Sequence, residues 1–135
     1  MRAITKNIFL FFILFSASVF AQQKKWLYAN LKETDQPNSV YYTIISSDTL
    51  EENYFYKSGK IYRKFKFSSQ KLSPKLSAKF SEFYETGALK VSGKYENGFK
   101  EGIWKTYYKS GKMKERGKYK RGEKVGIWKA FYKNF

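Results

Sequence analysis

The sequence predicts an all-β protein, an elongated, single-layer antiparallel β-meander or solenoid of repeated hairpins. Three observations lead to this fold class. A 24-residue unit recurs without a gap, aromatic side chains make up 21% of the chain, and glycines separate short β-favouring segments at regular intervals. Repeats of fixed period indicate stacked supersecondary units. After residue 21, no segment keeps the 3.6-residue apolar period of a helix, so we expect hairpins throughout.

The first 21 residues have the pattern of a secretory signal peptide. Two basic residues precede an apolar segment at residues 8–15, and Val19 and Ala21 stand where signal peptidase reads small residues. The apolar stretch is shorter than the ~20 residues that a membrane-spanning helix needs. We expect cleavage after Ala21 and a secreted or periplasmic mature chain with no transmembrane span. Retention of this segment as an N-terminal anchor is the alternative.

The composition excludes several classes of site. The chain has no Cys and no His, so it lacks disulfides, the usual zinc, haem and iron–sulfur ligands, a Cys nucleophile and a Ser-His-Asp triad. We expect no cofactor. The 27 Lys and Arg residues outnumber the 11 Asp and Glu residues, for a net charge of +16. This excess favours acidic partners, and export makes anionic lipid or glycan a better expectation than nucleic acid.

The repeat defines the organisation of the chain. Residues 83–106 and 107–130 align over their whole length, with 12 of 24 positions identical. A degenerate copy begins at Phe55, 28 residues before Phe83, which implies an insertion within residues 68–81. We therefore divide the chain into a signal peptide (1–21), an N-terminal β cap region (22–53), a degenerate repeat plus loop insertion (54–79) and full repeats (80–135). In the cap region we expect strands at residues 26–31 and 40–45, joined by a turn at 36–39.

Each unit has the pattern of a hairpin. Residues 103–108 favour a strand, residues 109–112 a turn, residues 113–119 the returning strand and residues 120–126 the turn into the next unit. Two glycines, Gly93 and Gly117, fall inside strands, where a missing side chain leaves room for a neighbouring aromatic ring. The positions expected to maintain the repeat are Gly87, Gly93, Tyr95, Gly98, Gly102, Trp104, Tyr108, Gly111, Gly117, Tyr119, Gly122, Gly126, Trp128 and Tyr132.

Alternation along the returning strands predicts two different faces. Apolar residues and glycines share one side, and cations share the other. In the degenerate unit this rule puts Ile61 on the apolar side and Tyr62 on the cationic side. Stacked strands would align the cations in a row able to bind an anion or a partner; a solvated outer face is the alternative. The candidate binding residues are Lys64, Lys66, Lys90, Lys94, Lys114, Arg116 and Lys118.

The recurring aromatic residues have a simpler expected role. We expect the rings of Trp104, Tyr108, Trp128 and Tyr132, which return at two positions of the unit, to stack along the sheet as its core. Exposed rings that bind a ligand such as a sugar are the alternative.

The successive elements of the repeat are Gly-Lys-Tyr, Gly, Gly-Ile-Trp-Lys, aromatic-Tyr and Gly-Lys. This pattern resembles the MORN repeat, in the bacterial variant found in YwqK-type antitoxin-like proteins. It matches residues 80–135 well, residues 54–67 weakly and residues 22–53 not at all. The resemblance implies rows of short hairpins in an elongated, curved sheet. The resemblance does not indicate one function, because MORN proteins serve as scaffolds, as phospholipid-associated modules and as appendages to enzymes. The antitoxin label implies an intracellular partner, and the predicted export departs from it.

We expect an exported, non-enzymatic binding or scaffold protein whose partner is a protein at the cell envelope. Adhesion to anionic lipid or glycan through the lysines is one alternative, and neutralisation of a cognate toxin is another. Catalysis would have to rely on carboxylates, Lys and Tyr alone, and no constellation of these stands out in the sequence.

Overall fold

The computed structural model describes residues 23–44, 50–68 and 77–132, which form one nine-stranded antiparallel sheet. The predicted signal peptide with its cleavage site, most of the predicted loop insertion and the last three residues lie outside these ranges. No helix in the described ranges is long and apolar enough to cross a membrane. The strands are β1 (Lys24–Leu27), β2 (Tyr41–Ile44), β3 (Glu51–Tyr56), β4 (Ile61–Phe67), β5 (Ser77–Phe83), β6 (Leu89–Glu96), β7 (Phe99–Tyr107), β8 (Met113–Lys120) and β9 (Glu123–Ala130).

The order of the strands in the sheet is their order in the chain. Each strand pairs antiparallel with the one before it, as short hairpin connections require. The predicted all-β meander of hairpins is therefore confirmed.

Two kinds of turn alternate along the repeats. The hairpin turns carry Gly87 and Gly111 with φ of 91° and 83°, as predicted. The second kind of turn, Asn97-Gly98 after β6 and Arg121-Gly122 after β8, has positive φ at both residues and is a two-residue turn. Because these turns are so short, β7 and β9 begin at residues 99 and 123. The prediction that they begin at 103 and 127 was wrong, and Gly102 and Gly126 lie inside strands.

One face of the sheet carries a continuous row of rings. Successive members come from successive strands, with ring centroids 5.0–5.8 Å apart. We call this side the aromatic face, and its row consists of Phe65, Phe80, Tyr95, Trp104, Tyr119 and Trp128. Trp104 is only 3% exposed, which confirms it as core. Tyr132, by contrast, is 89% exposed, so the prediction that it belongs to the core was wrong.

Bulges interrupt the simple alternation of faces. In β4 the pairing with β3 shifts register, so that Arg63 opposes Tyr54 but Ile61 opposes Phe55. The bulge turns Tyr62 onto the aromatic face, where it is 8% exposed and stacks on Tyr41 at 4.0 Å. Ile61 is 38% exposed. The predicted sides of Ile61 and Tyr62 were therefore wrong.

A tyrosine at one repeat position joins each unit to the next. The hydroxyl of Tyr56 donates a 2.8 Å hydrogen bond to the carbonyl of Phe83, and that of Tyr84 donates one of 2.9 Å to Tyr107. Tyr108 repeats the bond with Phe131 at 3.0 Å. These bonds recur in three units, so the segment that begins at Phe55 follows the same plan as the full repeats.

Candidate binding face of the sheet

The side opposite the aromatic face, which we call the basic face, carries most of the predicted cations. A row of directly paired positions crosses it from β3 to β9, and cations occupy four of its seven positions. The row is Asn53, Lys64, Ser81, Ser92, Lys105, Arg116 and Lys129. Two of the predicted candidates, Lys64 and Arg116, therefore share one line across the sheet.

A second row lies two residues along the strands. It brings together Lys66, Lys79 and Lys94, with Glu51 at one end and Glu101 at the other. A cavity of about 600 Å³ adjoins the three lysines. The second row holds two further predicted candidates, Lys66 and Lys94, and one lysine that the sequence reasoning missed, Lys79.

Carboxylates form ion pairs with lysines in the N-terminal half of the basic face. Glu51 forms ion pairs with Lys64 at 2.9 Å and with Lys66 at 3.6 Å, and Lys94 pairs with Glu96. Hydrogen bonding from Lys64 is the main cause that holds the pKa of Glu51 below its ordinary value. An anion approaching this half would compete with these carboxylates.

Two predicted candidates lie on the other side. Lys90 and Lys114 are positioned at bulges, where β6 and β8 shift register against their neighbours. Their ammonium groups lie 5.7 Å from the rings of Tyr84 and Tyr108 respectively. Lys90 also forms an ion pair with Glu82 at 2.8 Å, beside the pair that Glu82 makes with Arg63 at the same distance. Both residues therefore depart from the predicted alternation.

Glu82 is a buried carboxylate that the sequence reasoning did not find. Its residue exposure is 7%. Burial raises the pKa of Glu82, but hydrogen bonds from Lys90 and Arg63 outweigh burial, so this pKa lies below the ordinary value. Glu82 alternates along β5 with Ala78 and Phe80, which are also buried, so alternation could have indicated its side of the sheet but not its ion-pair partners. We interpret the three side chains as a structural ion cluster, since all three charges are satisfied within it.

The C-terminal end of the basic face is different. The described residues place no carboxylate within ion-pair distance of its cations, and two aliphatic side chains stand among them, Ile103 at 50% and Ile127 at 85% exposure. Across strands, Ile103 is paired with Lys118. We define the terminal basic patch as Ile103, Lys105, Arg116, Lys118, Ile127 and Lys129.

The sequence could have identified the missed members of this patch. Lys105 and Lys129 occupy the same position of the 24-residue unit and follow the repeated Ile-Trp pair. The predicted candidates came from the returning strands, whereas these lysines belong to the outgoing strands β7 and β9. In an antiparallel meander the two kinds of strand alternate, so both contribute to each row.

A second concave region lies on the aromatic face. A cavity of about 320 Å³ is lined mainly by aromatic side chains, among them Tyr54, Phe65 and Tyr95. The Tyr54 hydroxyl donates a 2.6 Å hydrogen bond to Glu52, and burial, followed by this bond, raises the pKa of Tyr54. The described residues contain no group of three or more carboxylates that could hold a metal ion.

Comparison with known proteins supports the repeat. Residues 100–121, which extend from the start of β7 to the turn after β8, match the family model of the MORN repeat variant. No curated protein and no solved structure matches the chain. The matched segment contains Trp104, Gly117 and four of the six residues of the terminal basic patch, so the repeat that resembles the MORN variant carries most of this surface.

Proposed function

We propose that this chain is an exported, non-enzymatic binding protein that uses its MORN repeats to hold a protein partner at the cell envelope. The observation that carries the proposal is the terminal basic patch, where two exposed isoleucines stand among cations that have no carboxylate partner in the part of the chain that the structure describes. The match to the MORN repeat variant supports a binding scaffold, because this repeat commonly binds proteins or lipids.

The chemistry of the patch favours a protein as the partner. Protein interfaces combine an apolar centre with a polar rim, and Arg is enriched in them. Ile127 supplies an exposed aliphatic centre, and Arg116 and Lys129 oppose each other beside it. The partner surface would therefore carry carboxylates around an apolar contact, and electrostatic attraction would mainly accelerate association.

A salt-dependent pull-down tests this function. The tagged full-length chain, expressed in its own host, would be captured from the envelope fraction and washed first at low and then at high salt. A discrete protein that survives high salt supports the proposal, because aliphatic contacts are not screened. The variant Ile127→Asp should lose this partner, whereas Ile61→Asp, which alters an exposed isoleucine outside the patch, should retain it.

Adhesion to anionic lipid or glycan is a second candidate function. The cations of the terminal basic patch favour it, since no carboxylate among residues 23–44, 50–68 and 77–132 competes there with the phosphate or carboxylate groups of such a ligand. Such binding should collapse between low and high salt. Vesicles containing an anionic lipid, compared with vesicles of neutral lipid alone, provide the direct measurement. Charge reversal with Arg116→Glu should abolish vesicle binding if this function is correct, and Ile127→Ser should only weaken it.

The bacterial YwqK-type resemblance adds a more specific form of the main proposal, in which the partner is a toxin. Co-expression with genes adjacent to that of the chain would test this form by rescue of growth. Export itself is tested by mass spectrometry of the purified mature protein, for which we expect an N-terminus at Gln22.

A further inference from the structure

Trp104 and Trp128 occupy the same position of the repeat but are covered differently. Trp104 lies between two rings, with Tyr95 of β6 at 5.1 Å and Tyr119 of β8 at 5.8 Å between centroids. Trp128 contacts Tyr119 at 5.0 Å, which corresponds to the contact between Trp104 and Tyr95. On its other flank the described residues provide no counterpart of Tyr119. The Lys124 ammonium lies 3.9 Å from the centroid of the Trp128 ring, but one side of this ring is left without the aromatic contact that the repeat supplies elsewhere.

This side of Trp128 faces an outer edge of the sheet that the described residues form. β9 is the last strand in the sheet order, and β8 is its one strand neighbour in the described residues. An edge strand presents backbone donors and acceptors that can pair with another extended segment. The backbone edge and the half-covered Trp128 therefore form one continuous surface.

The repeat itself defines what fits this edge. β8 lies on β7 with Tyr119 opposite Gly102 and with Arg116 opposite Lys105. Suppose that an incoming strand pairs with β9 in the register in which β8 pairs with β7. Its residue equivalent to Tyr119 would then lie opposite Gly126, and an aromatic ring at that position would pack on Trp128. Three residues earlier in the incoming strand, a residue would lie opposite Lys129. All eight existing strand pairs are antiparallel, so we expect the same direction here.

Charge complementarity selects an acidic segment. Lys124 forms an ion pair with Glu115 at 3.1 Å, whereas Lys129 has no carboxylate partner among the described residues. A second copy of the chain fits poorly, because each copy has a formal net charge of +16. Pairing β9 with the other outermost strand would also bring Lys24 and Lys25 of β1 to an edge that already carries Lys129.

We propose that the edge of β9 binds an extended acidic segment of another protein as a tenth strand, with a carboxylate opposite Lys129 and an aromatic residue opposite Gly126. The inference rests on the proposed protein-binding function and names the surface and the kind of partner. The segment has the pattern acid, any residue, any residue, aromatic, with alternate side chains on the basic and aromatic faces.

A peptide titration tests the inference directly. The probe is a fluorescent peptide of sequence Thr-Glu-Asp-Thr-Val-Tyr-Glu-Thr with blocked termini, titrated with the full chain at low salt and followed by anisotropy. We expect saturable binding that weakens about tenfold when the peptide Tyr is replaced by Ala, because the ring contact with Trp128 is lost. Replacement of the peptide Asp by Lys should weaken binding to a similar extent.

Matched variants of the chain separate the edge from the rest of the basic face. Lys129 and Lys105 share a repeat position, but only Lys129 lies on the edge strand. We expect Lys129→Glu to weaken peptide binding at least about fivefold and Lys105→Glu to change it less than about twofold. Trp128→Ala should remove the preference for Tyr over Ala in the peptide. Circular dichroism of each variant checks that the sheet is intact.

Several outcomes would overturn the inference. One is peptide binding that is equally sensitive to Lys105→Glu and Lys129→Glu, which would indicate non-specific attraction to the basic face. A second is the absence of saturable peptide binding. A third is a stable dimer of the chain that Trp128→Ala dissociates, which would assign the edge to a second copy.

The envelope pull-down separates this inference from the proposed function. If Lys129→Glu leaves capture of an envelope protein unchanged while Ile127→Asp abolishes it, the proposed function holds and the edge inference fails. If no protein is captured at all, the proposed function fails first.

Discussion

The ring of Trp104 lies directly on the backbone of Gly93, so that a Cβ atom added at Gly93 would meet Cδ2 of Trp104 at 2.2 Å. The register explains this contact. Lys94 pairs with Glu101 and Ser92 with Lys105, so three residues of β7 oppose Gly93 alone. The bulge carries the indole onto the preceding strand, and the prediction that this glycine makes room for a ring is confirmed.

The first prediction compares this glycine with its equivalent in the next repeat. Gly93→Ala should lower the free energy of unfolding by about 3 kcal/mol, because a Cβ cannot fit beneath the buried Trp104 without displacing it. Gly117→Ala meets Trp128 at a similar 2.1 Å, but Trp128 lies on the edge strand and can move outward. We expect a cost of about 1 kcal/mol there. Urea unfolding followed by circular dichroism measures both, and equal costs would contradict this view of the edge.

The second prediction concerns the two tryptophans. Trp104→Ala should destabilise the protein by ~3–5 kcal/mol, since it removes a ring that is 3% exposed and leaves a cavity in the row. Trp128→Ala should cost about half as much, because this ring is less buried than Trp104 and packs against fewer aromatic neighbours among the described residues. Thermal and urea unfolding of both variants provides the comparison. A neutral Trp104→Ala would show that the aromatic row is not the core.

The third prediction tests the hydrogen bonds that join the units. Tyr84→Phe should reduce stability by about 1 kcal/mol, because the half-buried carbonyl of Tyr107 loses its 2.9 Å partner. Tyr108→Phe is the matched control. Its bond to Phe131 is solvent-exposed, so water replaces the hydroxyl and the expected cost is a few tenths of a kcal/mol. A cost for Tyr108→Phe as large as that for Tyr84→Phe would contradict the explanation.

The sequence was sufficient to predict the fold because the same pattern of turns and strands occurs in two consecutive repeats. The period, the turn glycines and the paired Gly and Trp positions are all visible in residues 83–130. The positions of Tyr62 and Lys90 could not be read in the same way. Alternation assumes an uninterrupted strand. A bulge inserts an extra residue, so residues beyond the bulge lie on the face opposite to the one that simple alternation predicts. Which strand bulges is decided by packing between strands, such as Tyr62 on Tyr41.

The candidate surface was predictable only in part for a related reason. Counting cations on the returning strands found Arg116 and Lys118, but the ion pairs of Lys64 and Lys66 with Glu51 join the two strands of one hairpin, β3 and β4. Glu51 comes opposite Lys66 through the register of β3 and β4. A sequence pattern that considers each strand alone contains no information about that partner.

The last prediction uses the pKa of Glu82. Because this pKa is lower in the folded protein than in the unfolded chain, the ionised carboxylate contributes stability above the unfolded pKa of about 4.3. The contribution is lost as the pH falls through the folded pKa, so acid should destabilise the protein. Glu82→Gln should cost about 2 kcal/mol at pH 7, less than the 3–5 kcal/mol for breaking a fully buried pair, since Lys90 is 41% exposed.

The pH dependence distinguishes this ion cluster from a surface pair. Urea unfolding between pH 7 and pH 3 should show a decrease in stability for the wild-type protein and a smaller one for Glu82→Gln. The control is Glu51→Gln, which alters an ion-paired carboxylate on the basic face that water can reach, and its effect should be smaller. If the wild-type protein and Glu82→Gln lose stability in parallel as the pH falls, Glu82 is not held ionised by Arg63 and Lys90, and the cluster does not stabilise the sheet through its charge.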